Sequence, residues 1–159
     1  MVMRLAWLCL AILVLGLTPA TAQNSHGYLF AAPGGVSVAG RTDSTLQFGG
    51  GAELLLARGF GLGGEIGALS PSGNLGGTVG LLSGNAYYHF GSKRRVDPYI
   101  TGGYSLFFRG NTANSGNFGA GVNLWLWKSL GLKFEFRDHV ASPGGVTAHW
   151  WGVRFGLNF

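Results

Sequence analysis

From Trp150 to Phe159 the chain alternates without a break. Trp151, Val153, Phe155, Leu157 and Phe159 fall on one face of an extended strand, and Trp150, Gly152, Arg154, Gly156 and Asn158 fall on the other. One face suits lipid; the other carries an arginine. Backbone amides in hydrocarbon have no water to bond, so strands cross a membrane only when they close into a barrel with no free edge.

The other end of the sequence sets the compartment. Arg4 precedes an apolar run from Leu5 to Leu17, and Ala20-Thr21-Ala22 supplies the small residues a signal peptidase needs. Residues 1–22 therefore read as a cleaved secretory signal, the run being shorter than the roughly 20 residues an α-helix needs to span hydrocarbon. Residues 23–159 remain as one domain. Cys9, the single cysteine, lies in the signal, so disulfides, thiol catalysis and thiolate metal sites are excluded from the mature chain. No later apolar run is long enough for a transmembrane helix.

Glycine supplies 30 of 159 residues and charged residues only 11%, against about 7% and 25% in ordinary domains. A formal charge of +5 invites a nucleic-acid reading. The cations are dispersed apart from Lys93, Arg94 and Arg95, and an exported chain is the wrong setting for an RNA-binding sheet.

Eight period-two segments are expected, punctuated by turn residues. They run from about His26 to Ala32 (ended by Pro33-Gly34-Gly35), Thr45 to Ala57, Phe60 to Leu69, Thr78 to Phe90, Pro98 to Arg109, Asn117 to Trp127, Leu130 to His139, and Trp150 to Phe159. Connections at Gly59, Gly91–Asp97 and Lys128–Ser129 alternate with longer ones at Pro33–Ser44, Ser70–Gly77, Gly110–Gly116 and Ala141–Ala148. The short set is expected to face the periplasm, together with both termini.

A soluble barrel of the lipocalin or streptavidin kind shares this alternation but turns its apolar face inward. It would show water a face of Gly, Asn, Ser and Thr with few charges, and would have to fit Phe118, Leu124, Phe134, Phe136, Phe155 and Phe159 into a narrow interior. Glycine suits that interior better. Aromatics also gather toward the segment ends as interfacial girdles: Phe60, Tyr88, Phe90, Trp125, Trp127 and Phe159 at one side, and Phe107, Phe108, Trp150 and Trp151 at the other.

The eight-segment pattern, the signal and the Trp151–Phe159 alternation together resemble the small outer-membrane β-barrel family that includes the transmembrane part of outer-membrane protein A. The resemblance covers Gln23 to Phe159 and is a pattern, not a catalytic signature. It implies that the barrel-assembly machinery reads the last strand through Trp151, Phe155, Leu157 and Phe159. The chain shows no periplasmic peptidoglycan-binding domain and only short loops, which weakens any carry-over of anchoring or adhesion.

An eight-stranded barrel is just wide enough for side chains to fill it, so inward polar groups must satisfy one another or trapped water. Glu53 and Glu65 are equally spaced about Gly59, which would set the two carboxylates side by side. Glu135 and Arg154 are equally spaced about the last loop and would pair across strands. Two adjacent carboxylates repel unless a cation intervenes, so Arg154, Lys133 or Arg137 is expected to reach them. Glu53, Glu65, Lys133, Glu135, Arg137 and Arg154 would thus form an ion-pair layer that plugs the lumen.

Catalytic readings are weaker. A glycosidase pair would sit in a lumen too narrow for a sugar chain. Glu135, His139 and Ser142 resemble in composition the set of outer-membrane lipid A deacylases, but that family spaces His and Ser two residues apart on one face, and here the interval is three. His26, His89 and His149 show no ligand spacing and no second carboxylate nearby. Gly49–Gly51 and Gly61–Gly64 lack the Lys-Ser or Lys-Thr of a phosphate loop.

The sequence thus predicts an all-β, eight-stranded antiparallel up-and-down transmembrane barrel. It is expected to be a monomer in the outer membrane, without cofactor or catalysis, with a structural or permeability role. Lys93, Arg94, Arg95, Arg58 and Lys128 are expected to form a cationic rim facing anionic headgroups. A lipid-modifying enzyme and a soluble exported ligand-binding barrel are the alternatives.

Overall fold

A computed structural model describes residues 25–72, 75–91, 94–142 and 145–159. The proposed signal, the start of the barrel at Gln23 and rim residue Lys93 lie outside these residues. Among them eight strands form one closed sheet: β1 (Ser25–Val38), β2 (Arg41–Leu55), β3 (Phe60–Pro71), β4 (Val79–His89), β5 (Val96–Arg109), β6 (Asn111–Trp127), β7 (Leu130–Ala141) and β8 (Ala148–Asn158). Each strand pairs antiparallel with the next, and β8 returns to β1. Beyond β8, Gly27 and Phe159 exchange backbone hydrogen bonds of 2.8 and 2.9 Å, completing the seam.

Alternation sorts the side chains as the period requires. Leu29, Ile66, Leu82, Phe118, Phe155 and Leu157 stand outward and are half or more exposed, whereas Glu53, Glu65, Lys133, Glu135, Arg137 and Arg154 stand inward at 3% or less. Phe134 meets Phe155 edge to face on the outer wall, their rings 5.8 Å apart. Apolar outside and charged inside is the reverse of a water-soluble barrel, so the soluble alternative falls.

Two expected loops are strand. Pro33-Gly34-Gly35 continues β1, with Pro33 opposite Leu46 and Gly34 opposite Thr45. Toward β8 the pairing skips Ala32 and Pro33, as a residue without an amide donor dictates. Gly34 is glycine because a Cβ there would collide with the Trp151 carbonyl. Residues 111–116 likewise belong to β6, and the β5–β6 hairpin turns on Gly110 alone, at φ 73°.

The expected contrast between short and long connections therefore does not hold. At the end that carries both termini the connections occupy residues 56–59, 90–95 and 128–129; at the far end they occupy 39–40, 72–78, 110 and 142–147. What distinguishes the far end is strand extension: Arg41–Ser44 and Asn111–Asn114 are exposed at every position, on both faces.

Candidate functional site

The lumen holds the chain's densest chemistry. Starting from the terminal end, Glu53 lies between His26 and His89, at 3.5 and 2.5 Å, and the other ring nitrogen of His89 is 2.7 Å from Asp97. Both nitrogens of His89 thus face carboxylates, and with both carboxylates ionised the two contacts are hydrogen bonds only in the doubly protonated ring. This corrects the expectation that no histidine has a second carboxylate beside it. Among the described residues the group does not meet the requirements of a metal site.

One step inward, Tyr28, Tyr87 and Tyr99 surround the Lys133 ammonium, whose Nζ lies 4.7, 5.5 and 4.2 Å from their ring centres. Cation–π attraction supplies what hydrogen bonding does not, since Nζ has no acceptor in bonding range and lies 4.0 Å from Glu135. The cage is built by cross-strand glycines. Tyr28 stands opposite Gly51, Tyr87 opposite Gly61 and Tyr99 opposite Gly121, and a Cβ on Gly51 or Gly121 would come within 2.6 Å of the tyrosine hydroxyl.

At mid-barrel four charges close a square of alternating sign. Arg154 Nη1 lies 2.7 Å from Glu65 and 3.2 Å from Glu135, while Arg137 lies 2.7 Å from Glu135 and 3.8 Å from Glu65. The 2.7 Å approach of Arg137 Nε to Glu135 Oε1 is an ion pair by distance but poorly aligned as a hydrogen bond; Nη2 donates to Oε2 at 2.9 Å in good alignment. Tyr28 donates to Glu65 at 3.0 Å and Tyr99 to Glu135 at 2.7 Å. Glu135 and Arg154 are direct register partners.

Glu53 and Glu65 are not. Glu53 faces Gly63 and Glu65 faces Gly51, because the turn places both Arg58 (φ 61°) and Gly59 (φ 85°) in the left-handed region and centres the hairpin at 58. The register is therefore two residues away from the symmetric arrangement about Gly59. Glu65 joins the square and Glu53 joins the histidines.

Toward the far end, His139 Nε2 lies 3.5 Å from Arg154 Nη2 and Nδ1 lies 3.1 Å from Ser105 Oγ. Arginine can only donate, so Nε2 accepts and Nδ1 carries the hydrogen. A ring that donates to Ser105 cannot also take its proton. Ser142 is elsewhere, with its hydroxyl 3.2 Å from that of Thr147 at the exposed end of the last hairpin. The Glu135, His139 and Ser142 set is therefore not assembled. Phe107 closes the stack, packing on Trp150 at 5.0 Å and His139 at 5.7 Å. Phe107 and Trp150, with Trp125 beside His26 at 5.2 Å, face the lumen and are not girdle residues, as their parity requires.

Sequence reasoning missed the three tyrosines and Asp97. Tyr99 shares its face with Thr101 and Ser105, so parity alone would have found it. From sequence Asp97 reads as the end of a turn, but β5 begins at Val96 and carries it into the lumen.

Residues 7–159 match the family model described as outer membrane protein beta-barrel domain. The chain belongs to that family. Among solved structures, Neisserial surface protein A is similar at TM-score 0.69 and 14% identity, covering 84% of this chain and 95% of that one. The N-terminal β-barrel domain of Pseudomonas aeruginosa OprF gives 0.58 and 20%, covering 86% and 98%. The attachment invasion locus protein Ail of Yersinia pestis gives 0.55 and 15%, covering 86% and 99%. At such identities the likeness is one of fold. No curated protein matches by sequence. As an outer membrane β-barrel domain, the chain resides in the cell outer membrane, and its apolar wall faces lipid.

Proposed function

We propose that this protein is a monomeric structural element of the outer membrane whose lumen is sealed and non-catalytic. The square of Arg154, Glu65, Arg137 and Glu135 carries the reading: each member is 3% exposed or less, and the group spans the barrel from β3 to β7 and β8. A water-filled channel would solvate these charges; here they solvate one another. The Lys133 cage lies on one side of the square and the Phe107–Trp150 pair on the other, which supports this reading. The protonation pattern at His139 speaks against a lumenal serine nucleophile.

The terminal end is assigned to the periplasm. Arg58, Arg94, Arg95 and Lys128 are exposed there, where they can meet anionic headgroups, and Trp151, Phe155, Leu157 and Phe159 stand outward as the signal for barrel assembly. Planar bilayers test the seal: purified protein is expected to give no steady conductance, and steady single channels, the behaviour of a water-filled pore, would refute it.

A further inference from the structure

A cavity lies against the charge square on the side of the far end. Gln47 and His139, both in reach of Arg154, line it, and Leu69, Leu81, Phe107 and Trp150 supply apolar walls. These residues come from β2, β3, β4, β5, β7 and β8, so the cavity occupies the lumen and not a recess in one wall. Its volume is about 250 Å³, counting the part open to solvent. At about 30 Å³ for each water-sized group, this admits one small ring or a short chain. It falls below the roughly 300–1,000 Å³ of sites that take drug-sized molecules.

The polar groups decide the chemistry. Gln47 is 6% exposed, and Arg154 Nη2 donates to its Oε1 at 3.4 Å. Arginine has no acceptor, so the amide oxygen must face it and the amide nitrogen is turned away. That nitrogen is buried and has no acceptor. A buried donor left unpaired is costly; this one belongs to a residue that lines a cavity, where a ligand can supply the acceptor.

Charge narrows the occupant further. Among the described residues no charged side chain lines the cavity, and Arg154 is already matched by Glu65 and Glu135. His139 is engaged at both nitrogens, with Arg154 and with Ser105. A carboxylate or an ammonium entering here would lose its hydration and find no counter-charge. The walls thus select an uncharged, largely apolar molecule, and Gln47 selects one that carries an acceptor oxygen.

We propose that this cavity is a binding site for a small uncharged apolar molecule bearing a carbonyl or ether oxygen. The oxygen accepts a hydrogen bond from Gln47 Nε2, and the hydrocarbon part packs on Phe107, Trp150, Leu69 and Leu81. Such a pocket fills whether or not the lumen conducts, so the proposal goes beyond the sealed-lumen reading and does not depend on it.

The test uses the full protein, isotope-labelled and refolded into detergent micelles, with acetophenone as the ligand tried. Benzoate and ethylbenzene serve as its charged and acceptor-free counterparts, and the side-chain NMR signals of Gln47 and Trp150 are followed in each titration. Acetophenone is expected to shift both signals saturably, at about millimolar strength for a molecule of its size. Ethylbenzene is expected to bind about 2- to 10-fold more weakly, the worth of one net hydrogen bond, and Gln47→Leu to remove that difference. Benzoate is expected to shift neither signal. Leu69→Trp, which fills the cavity, is expected to abolish the acetophenone response. Heat-modifiable gel mobility checks that each variant is folded, and the titrations of the unaltered protein decide the matter even if a variant is not. The proposal is overturned if acetophenone gives no saturable shift at Gln47, if benzoate binds as tightly, or if folded Leu69→Trp responds like the parent.

Discussion

Replacing Arg154 by methionine tests the square directly. The substitution keeps an aliphatic stem beneath the site where the guanidinium lies 4.3 Å from the Phe30 ring centre, and removes two ion pairs, to Glu65 at 2.7 Å and Glu135 at 3.2 Å, with the longer contacts to Gln47 and His139. At about 3 Å and an effective dielectric of about 20, each ion pair has a gross attraction of about 5 kcal/mol. Most of that offsets desolvation, so the net loss on stranding a partner is about 3–5 kcal/mol. The double variant Arg154→Met, Glu65→Gln behaves differently, because it deletes one anion with one cation and leaves Arg137 on Glu135 at 2.7 Å. It is expected to recover about 2 kcal/mol or more relative to Arg154→Met alone. Urea unfolding in lipid vesicles, followed by tryptophan fluorescence and gel mobility, measures both. An Arg154→Met variant within about 1 kcal/mol of the parent, or a double variant as unstable as the sum of the singles, would show that the charges are not mutually compensating.

Three further substitutions probe the lumen, the wall and the seam. Gly121→Val would drive side-chain atoms into the Tyr99 hydroxyl and the Phe134 carbonyl, and is expected to destabilise by about 1–3 kcal/mol in the same unfolding assay. Gly84→Ala, whose Cβ meets nothing within 4 Å, is expected to be neutral within about 0.5 kcal/mol. Phe159→Ser keeps the backbone bonds to Gly27 but removes the ring, so refolding in detergent should be normal while the amount assembled in the outer membrane of living cells falls. Equal losses in both measurements would assign Phe159 to barrel closure alone.

Much of the shell was legible because one face of every strand is committed to lipid. In β7, the alternation of Leu132, Phe134 and Phe136 with Lys133, Glu135 and Arg137 fixes the faces with no knowledge of the neighbours. Partner choice along a hairpin is a different matter. A slip of one residue inverts every side chain and is forbidden by the pattern, but a slip of two preserves the faces. That is how Glu53 came to oppose Gly63 when symmetry about Gly59 put it beside Glu65. The deciding information lay in the backbone of Arg58 and Gly59, not in hydrophobicity.

Glycine misled for a related reason. Gly34, Gly35 and Gly110–Gly116 looked like punctuation, but of these only Gly110 has a positive φ; Gly34 serves the close approach of β8. In a barrel this narrow, an inward glycine is a space left for a large neighbour, and the neighbour can be read from the register: Gly51 for Tyr28 and Gly121 for Tyr99. Those tyrosines hold Lys133 and bond Glu65 and Glu135, so the glycines indirectly set the geometry of the charge square. The same packing leaves the interior little room for a substrate.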